Sequence, residues 1–343
     1  MKKHLNTLFV TTQGAYLAKD GETVAVKVDQ EVRIRIPIHT IGGIACFGNI
    51  SASPFLMGFC AEKGVGVSFL TEYGRFLARV QGPVSGNVLL RRNQYRRADE
   101  PVSSAEIAKA IVTGKIVNCR TVLQRVLRDH GDKIDISLVE KASGHLYQQL
   151  GMFQKELSLD AVRGYEGDAA HTYFGVFNEL IVAQKECFSF LQRNRRPPLD
   201  NVNCLLSFIY TLLLHDIRSA LEAVGLDPAV GYLHRDRPGR PGLALDMMEE
   251  FRPVIADRLA LSLINLRKIQ AKGFIKSDSG AITMTDDTRK IVLVAYQERK
   301  QETIFHPFIE EKVTIGILFH IQALLMARFL RGELDCYPPF LWK

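Results

Sequence analysis

The period of the apolar positions changes near residue 85. Before that point apolar residues alternate with polar ones, or run in short blocks bounded by turn signals, which is the mark of strands. Residues 5–11 and 16–18 read as a strand pair joined near Gly14, and residues 23–28 follow the Asp20-Gly21 turn signal. Val32, Arg33, Ile34, Arg35 and Ile36 alternate, which predicts a half-exposed strand with a basic outer face. Residues 41–46, 65–70 and 76–80 complete the strands. Residues 53–63 read as a helix, with Ser53 as cap and Pro54 in the first turn.

After residue 85 the spacing is helical. A basic segment, Arg91-Arg92-Asn93-Gln94-Tyr95-Arg96-Arg97, is broken by Ala98-Asp99-Glu100-Pro101. Ser103 or Ser104 can cap a helix over residues 105–117. Helical patterns follow at 120–129, 137–150, 159–190, 202–224, 243–264, 288–298 and 307–331, with breaks inside some. Residues 335–343, with Pro338-Pro339 and Trp342, read as a non-helical tail that docks or frays. No internal repeat or low-complexity tract is present. The expected class is α+β: a small N-terminal β-sandwich-like domain over residues 1–85, a linker over 86–102, and a larger all-α domain over 103–343.

One polar residue breaks the helical pattern. In Gly164-Tyr165-Glu166-Gly167-Asp168-Ala169-Ala170, helical spacing aligns Glu166 with Ala170, Tyr173 and Phe177, the apolar stripe, while Asp168 faces the other way. A carboxylate on an inward stripe is costly unless a cation meets it. Arg163, an arginine from another helix or a metal ion can each serve.

Composition narrows the partners. The chain has 343 residues, 47% of them hydrophobic, enough for a full core. The formal charge is +7 at pH 7, which favours an anionic partner, nucleic acid first. Six cysteines lie far apart with no CxxC pair, so a zinc cage is not expected, and free thiols in a reducing cytoplasm are. The N-terminus carries no signal-peptide pattern. The most apolar helical stretch, about 13 residues from Val202, is too short to span a bilayer, so no membrane is expected.

Candidate ligands for a metal lie downstream. His234 sits in a Gly- and Pro-shaped loop, Gly231-Tyr232-Leu233-His234-Arg235-Asp236-Arg237-Pro238-Gly239-Arg240. The next helix places Ala244, Met247, Met248, Phe251 and Ile255 on an apolar stripe. Asp246, Glu249 and Glu250 lie opposite, which is also the pattern of an ordinary solvated acidic face. Glu249 and Glu250 both neighbour Asp246, and spacing does not choose between them. Like charges about 4 Å apart repel by about 4 kcal/mol at an effective dielectric near 20, so acids gathered there want a divalent ion. Carboxylates plus one histidine suit Mg²⁺ or Mn²⁺ better than Zn²⁺. Arginines surround these acids: Arg193, Arg195 and Arg196 before Pro197-Pro198, then Arg235, Arg237 and Arg240, with Arg218, Arg252 and Arg258 on neighbouring helices. A metal site ringed by guanidinium groups fits phosphate chemistry.

The blocks Gly164–Ala170, 195–208 (Arg-Arg-Pro-Pro-Leu-Asp-Asn-Val-Asn-Cys-Leu-Leu-Ser-Phe), Gly231-Tyr232-Leu233-His234, Gly239-Arg240 and 243–253, in this order and spacing, resemble the CRISPR-associated integrase-nuclease family, Cas1. The motif details look like the subtype I-C branch. The resemblance implies an N-terminal β domain for dimerisation and DNA contact, a helical catalytic domain, and a homodimer that joins the second, smaller adaptation protein, Cas2. It implies a divalent ion held by Glu166, His234 and Glu249, where relatives often carry Asp at the last position, with Asp246 as a supporting acid. It also implies DNA strand transfer, in which a 3′-hydroxyl of a captured fragment attacks a phosphodiester at the CRISPR repeat. With water as the attacker, the same site acts as a nuclease. Arg195, Arg196, Arg237 and Arg240 are the expected phosphate contacts. Two rival readings use the same residues: a metal-dependent phosphoesterase on small substrates, and a non-catalytic DNA-binding subunit whose acids only pair with arginines.

Overall fold

A computed structural model describes residues 6–72, 76–80, 82, 88–194 and 196–342. The N-terminal strands are β1 (Asn6–Val10), β2 (Tyr16–Asp20), β3 (Thr23–Val28), β4 (Glu31–Pro37), β5 (Ile41–Phe47), β6 (Ser51–Ala52), β7 (Gly66–Leu70) and β8 (Phe76–Val80), with α1 (Pro54–Lys63) before β7. They form two four-stranded sheets, ordered β1-β5-β7-β8 and β4-β3-β2-β6. Leu17, Val24, Ile44, Leu56, Phe59 and Val67 share the core between them. As expected, the Ser53 hydroxyl caps α1, accepting from the Leu56 amide at 3.2 Å.

The expected pairing across Gly14 is wrong. β1 pairs in parallel with β5, whereas β2 pairs with β3 and β6. Gly14, at φ +76°, turns the chain from one sheet into the other rather than closing a hairpin. β5 lies between two parallel neighbours and is buried on both faces. Ile44 and Cys46 enter the sandwich core, and Ala45 and Phe47 enter the helical core, as a period of two requires. One sheet thus joins the two halves.

The helices are α2 (Val88–Asp99), α3 (Pro101–His130), α4 (Ile136–Met152), α5 (Leu159–Gly175), α6 (Asn201–Ala223), α7 (Gly242–Met248), α8 (Arg258–Asn265), α9 (Asp286–Gln301) and α10 (Ile315–Leu330). The basic segment 91–97 lies within α2. The two helices expected over 105–129 are a single 30-residue α3 that starts at Pro101. Ser104 does not cap it; its hydroxyl donates to the carbonyls of Arg97 and Ala98 at 3.1 Å and ties α2 to α3. The pattern at 159–190 ends as α5 at Gly175, followed by a short 3-10 turn, Phe177–Leu180. Two hairpins were not anticipated. β9 (Phe274–Lys276) pairs with β10 (Ile282–Met284), and β11 (Thr303–His306) pairs with β12 (Glu311–Thr314), so Pro307 lies in a turn and not in α10.

α6 is longer than its most apolar stretch implied. At 23 residues it is, by length and apolarity, the one helix among the described residues that could cross a membrane. Here its apolar face is core: Leu205, Leu206, Ile209, Leu213 and Leu221 are fully buried. The six cysteines are free thiols, four of them buried.

Candidate active site

The site forms where α3, α5, the loop before α7 and the end of α7 meet. On α5 the buried positions are Val162, Ala169 and Tyr173, and Glu166 falls on the same stripe, with its side chain 26% exposed. Asp168 faces outward, where His145 Nε2 lies 2.9 Å from its carboxylate. The cation that meets Glu166 is Lys115 of α3. Arg163 does not take that place. Arg163 instead donates to the Leu233 carbonyl at 2.7 Å and to Asp160 at 2.9 Å, which ties α5 to the loop carrying His234.

The same Lys115 ammonium lies 2.8 Å from Glu249 Oε2. Glu249 is 1% exposed, and Asp246 and Glu250 are fully buried, so the acidic face of this helix is not solvated. Glu249 Oε1 takes a bond from Arg252 at 2.5 Å. Burial opposes its ionisation, but Arg252, Lys115 and His234 outweigh burial and hold its carboxyl down at about 2. Burial likewise works against the charge of Lys115, and Glu249 and Glu166 overcome it, keeping the amine protonated.

Glu250, the neighbour that spacing could not separate from Glu249, faces elsewhere. Its carboxylate accepts from the Tyr337 hydroxyl and the Phe340 amide, both at 2.6 Å, and from Gln322 at 3.3 Å. Burial pushes this carboxyl up to about 7 despite those bonds. The two adjacent acids therefore serve two surroundings: the Glu166–Lys115 cluster and the C-terminal tail. The backbone allows this divergence because it is irregular here. The Glu249 and Phe251 amides make tight bonds to Asp246 and Met248, and the chain then widens into a π-helical turn, Arg252–Asp257. Pro253 has no amide proton to continue an α-helical ladder.

Asp246 organises the loop. Its carboxylate accepts from the amides of Tyr232 (2.6 Å), Leu233 (3.0 Å) and His234 (3.0 Å), and from His234 Nδ1 at 2.6 Å. Gly231 and Gly242 permit this closeness: a Cβ on Gly231 would lie 2.7 Å from the Asp246 carboxylate, and one on Gly242 would lie 2.7 Å from the Ala229 carbonyl. With Nδ1 donating, the neutral ring keeps an electron pair on Nε2, the form in which histidine binds a metal.

The donor set fits a divalent cation in kind: two carboxylates already sharing one positive charge, plus an imidazole with its tautomer fixed. The three groups do not close on one point, since no three His, Cys, Asp or Glu side chains among the described residues are grouped to hold an ion. Between Glu166 and Glu249 sits the ammonium of Lys115.

Of the expected phosphate contacts, Arg237 is exposed and Arg240 half-buried. They line one cleft together with Arg79, Arg218, Asp227 and Asp236. Arg196 is exposed and does not line that cleft, and Arg195 lies outside the described residues. Lys115 was missed in the sequence. Its signal was present: it is four residues from Ile111 and from Cys119, both buried, so it breaks an inward stripe as Glu166 does.

The model of the family described as CRISPR associated protein Cas1 matches residues 8–298. The CRISPR-associated endonuclease Cas1 1 of Chlorobaculum tepidum is 57% identical over 343 residues, covering all of both chains. The chain belongs to the CRISPR-associated Cas1 endonuclease family. Its fold is shared with solved structures of low sequence identity. A casposase bound to integration product matches with a TM-score of 0.83 at 21% identity, over 99% of this chain and 95% of that one. A chain of a Cas6-RT-Cas1–Cas2 complex matches with a TM-score of 0.82 at 22% identity, over all of this chain and 36% of that one. The two-sheet N-terminal unit followed by helices is thus the Cas1 architecture, and the α+β class expected from the sequence is the observed one.

Proposed function

We propose that this chain is the integrase of CRISPR adaptation. It would join 3′-hydroxyls of a captured DNA fragment to phosphodiesters at the CRISPR repeat, and cut DNA when water replaces the hydroxyl. One observation carries the reading: Glu166 and Glu249, from separate elements, converge on one cation beside a histidine whose Nδ1 is fixed by Asp246. Membership in the Cas1 family supports it, as does the likeness in fold to a casposase bound to integration product.

In this reading Glu166, His234 and Glu249 hold Mg²⁺ or Mn²⁺, and Asp246 orients His234. When bound, the ion supplies positive charge to the scissile phosphate and acidifies the attacking hydroxyl. The protein supplies position: in-line displacement at phosphorus depends chiefly on alignment. Arg237 and Arg240, with Arg195 and Arg196, hold flanking phosphates of double-stranded DNA. The chain works as a homodimer with Cas2 in the cytoplasm, and its motif details resemble those of subtype I-C. The division at residues 86–102 separates the dimer-forming, DNA-contacting β domain from the catalytic one.

The test is a strand-transfer assay with a short duplex and a supercoiled repeat-bearing plasmid, with and without Cas2 and metal. Wild type should give joined product only with a divalent ion, and His234→Ala should give none. Joining by His234→Ala at the wild-type rate, or product in EDTA, would defeat the reading.

A further inference from the structure

Glu166 and Glu249 already have a cation between them. Lys115 rises from the middle of α3, is buried, and directs its ammonium to both carboxylates. Beside it, Arg252 meets Glu249 and stacks on the Tyr210 ring with 5.0 Å to the centroid. The charges of these four groups cancel: two carboxylates, one ammonium, one guanidinium.

We propose that Lys115 is the resident counter-ion of the metal-free site, and that a divalent ion binds by displacing its ammonium from the two carboxylates. This rests on the reading of Glu166 and Glu249 as metal ligands. Adding a dication with Lys115 in place would leave a net charge of +2 among these buried and partly buried groups; moving the ammonium away leaves +1. Low-dielectric surroundings make that difference large. The two neighbouring cations differ in how easily they can leave. Arg252 is planar and pinned against an aromatic face, whereas a lysine ammonium is a point charge on a flexible four-carbon stem. Lys115 thus keeps the buried Glu249 and the partly buried Glu166 compensated before metal arrives, and it competes with metal for them. The site then needs no ion in order to fold, and its metal affinity is set partly by an internal rival.

The test is Mn²⁺ binding by calorimetry to the full-length protein without DNA, for wild type and Lys115→Met. The variant should bind Mn²⁺ at least about tenfold more tightly. It should melt lower than wild type in EDTA and gain more in melting temperature on adding Mn²⁺. Equal or weaker Mn²⁺ binding by a folded Lys115→Met overturns the proposal. If the variant does not fold, a crystal structure of wild type with Mn²⁺ decides. The Lys115 Nζ should have left both carboxylates; an ammonium still bridging Glu166 and Glu249 overturns the proposal. If neither protein binds Mn²⁺, the metal-site reading itself fails and this inference with it. If both bind with equal affinity, the metal site stands and only the role of Lys115 is refuted.

Discussion

Asp246 holds His234 twice, through the ring Nδ1 at 2.6 Å and the backbone amide at 3.0 Å, while its other oxygen takes the amides of Tyr232 and Leu233. One fully buried carboxylate therefore fixes both the loop and the ring. Asp246→Ala strands three amide donors and the imidazole. Each unsatisfied buried donor costs about 1–3 kcal/mol, so denaturant unfolding should show a loss of roughly 3 kcal/mol or more. Asp246→Asn should cost less stability but still lower Mn²⁺ affinity about 10–100-fold, because the ring loses its charged partner. Unchanged affinity in Asp246→Asn would mean that the ring orientation does not matter to the site.

The tail is part of the core, not a fraying end. Tyr337 and Phe340 are buried. Asn118 donates to the Phe340 carbonyl at 2.8 Å and accepts from the Trp342 amide at 2.8 Å, and the Arg258 guanidinium stacks on Trp342. Tyr337→Phe removes the hydroxyl that donates to Glu250 and should cost about 1.5–3 kcal/mol in equilibrium unfolding. Glu250→Ala, which leaves the Tyr337 hydroxyl and the Phe340 amide without that acceptor, should cost at least as much. A chain ending at Asp335 that melts like wild type would refute this account.

Asp257 makes stability depend on pH. Burial pushes its carboxyl up to about 6, although the Tyr210 hydroxyl, 2.6 Å away, and Arg252 and Arg193 favour its charge. An unfolded Asp titrates near pH ~3.9. Between these values the folded chain binds the proton and the unfolded chain does not, so this contribution falls as pH rises from ~4 through ~6. The loss is on the order of 2 kcal/mol. The stability of wild type minus that of Asp257→Asn should fall by this amount from pH 4 to 7 in denaturant titrations. A flat difference would contradict the assignment.

Arg237 and Arg240 share a cleft. If they contact phosphates, Arg237→Ala and Arg240→Ala should each weaken duplex binding with little regard to sequence. Each should also make the slope of log K against log salt shallower by about 1. Filter binding or anisotropy across salt concentrations checks this. An unchanged slope in both variants would remove them from the DNA surface.

Much of the architecture is written locally in the chain. The alternation in residues 23–36 and the helical spacing after residue 100 follow from which side chains one face can bury, and the observed strands and helices lie there. The inward position of Glu166 is of the same kind, since it needs only the 3.6-residue period. What fails locally is partnership. The turn at Gly14 looks like a hairpin, yet β1 pairs with β5, in the one sheet that covers both cores, while β2 joins the sheet that covers the sandwich core alone. Helical spacing puts Asp246, Glu249 and Glu250 on one polar face, but all three are buried because α7 lies inside the helical domain. Glu249 and Glu250 are indistinguishable by period, and they part only because α3 presents Lys115 on one side and the tail presents Tyr337 and Phe340 on the other. The sequence by itself determined most of the N-terminal strands, the helical character after residue 100, the inward acid and the order of the candidate ligands. Tertiary structure alone decided which cation meets Glu166, since Lys115 stands 51 residues away, and only packing across that separation brings the two charges together.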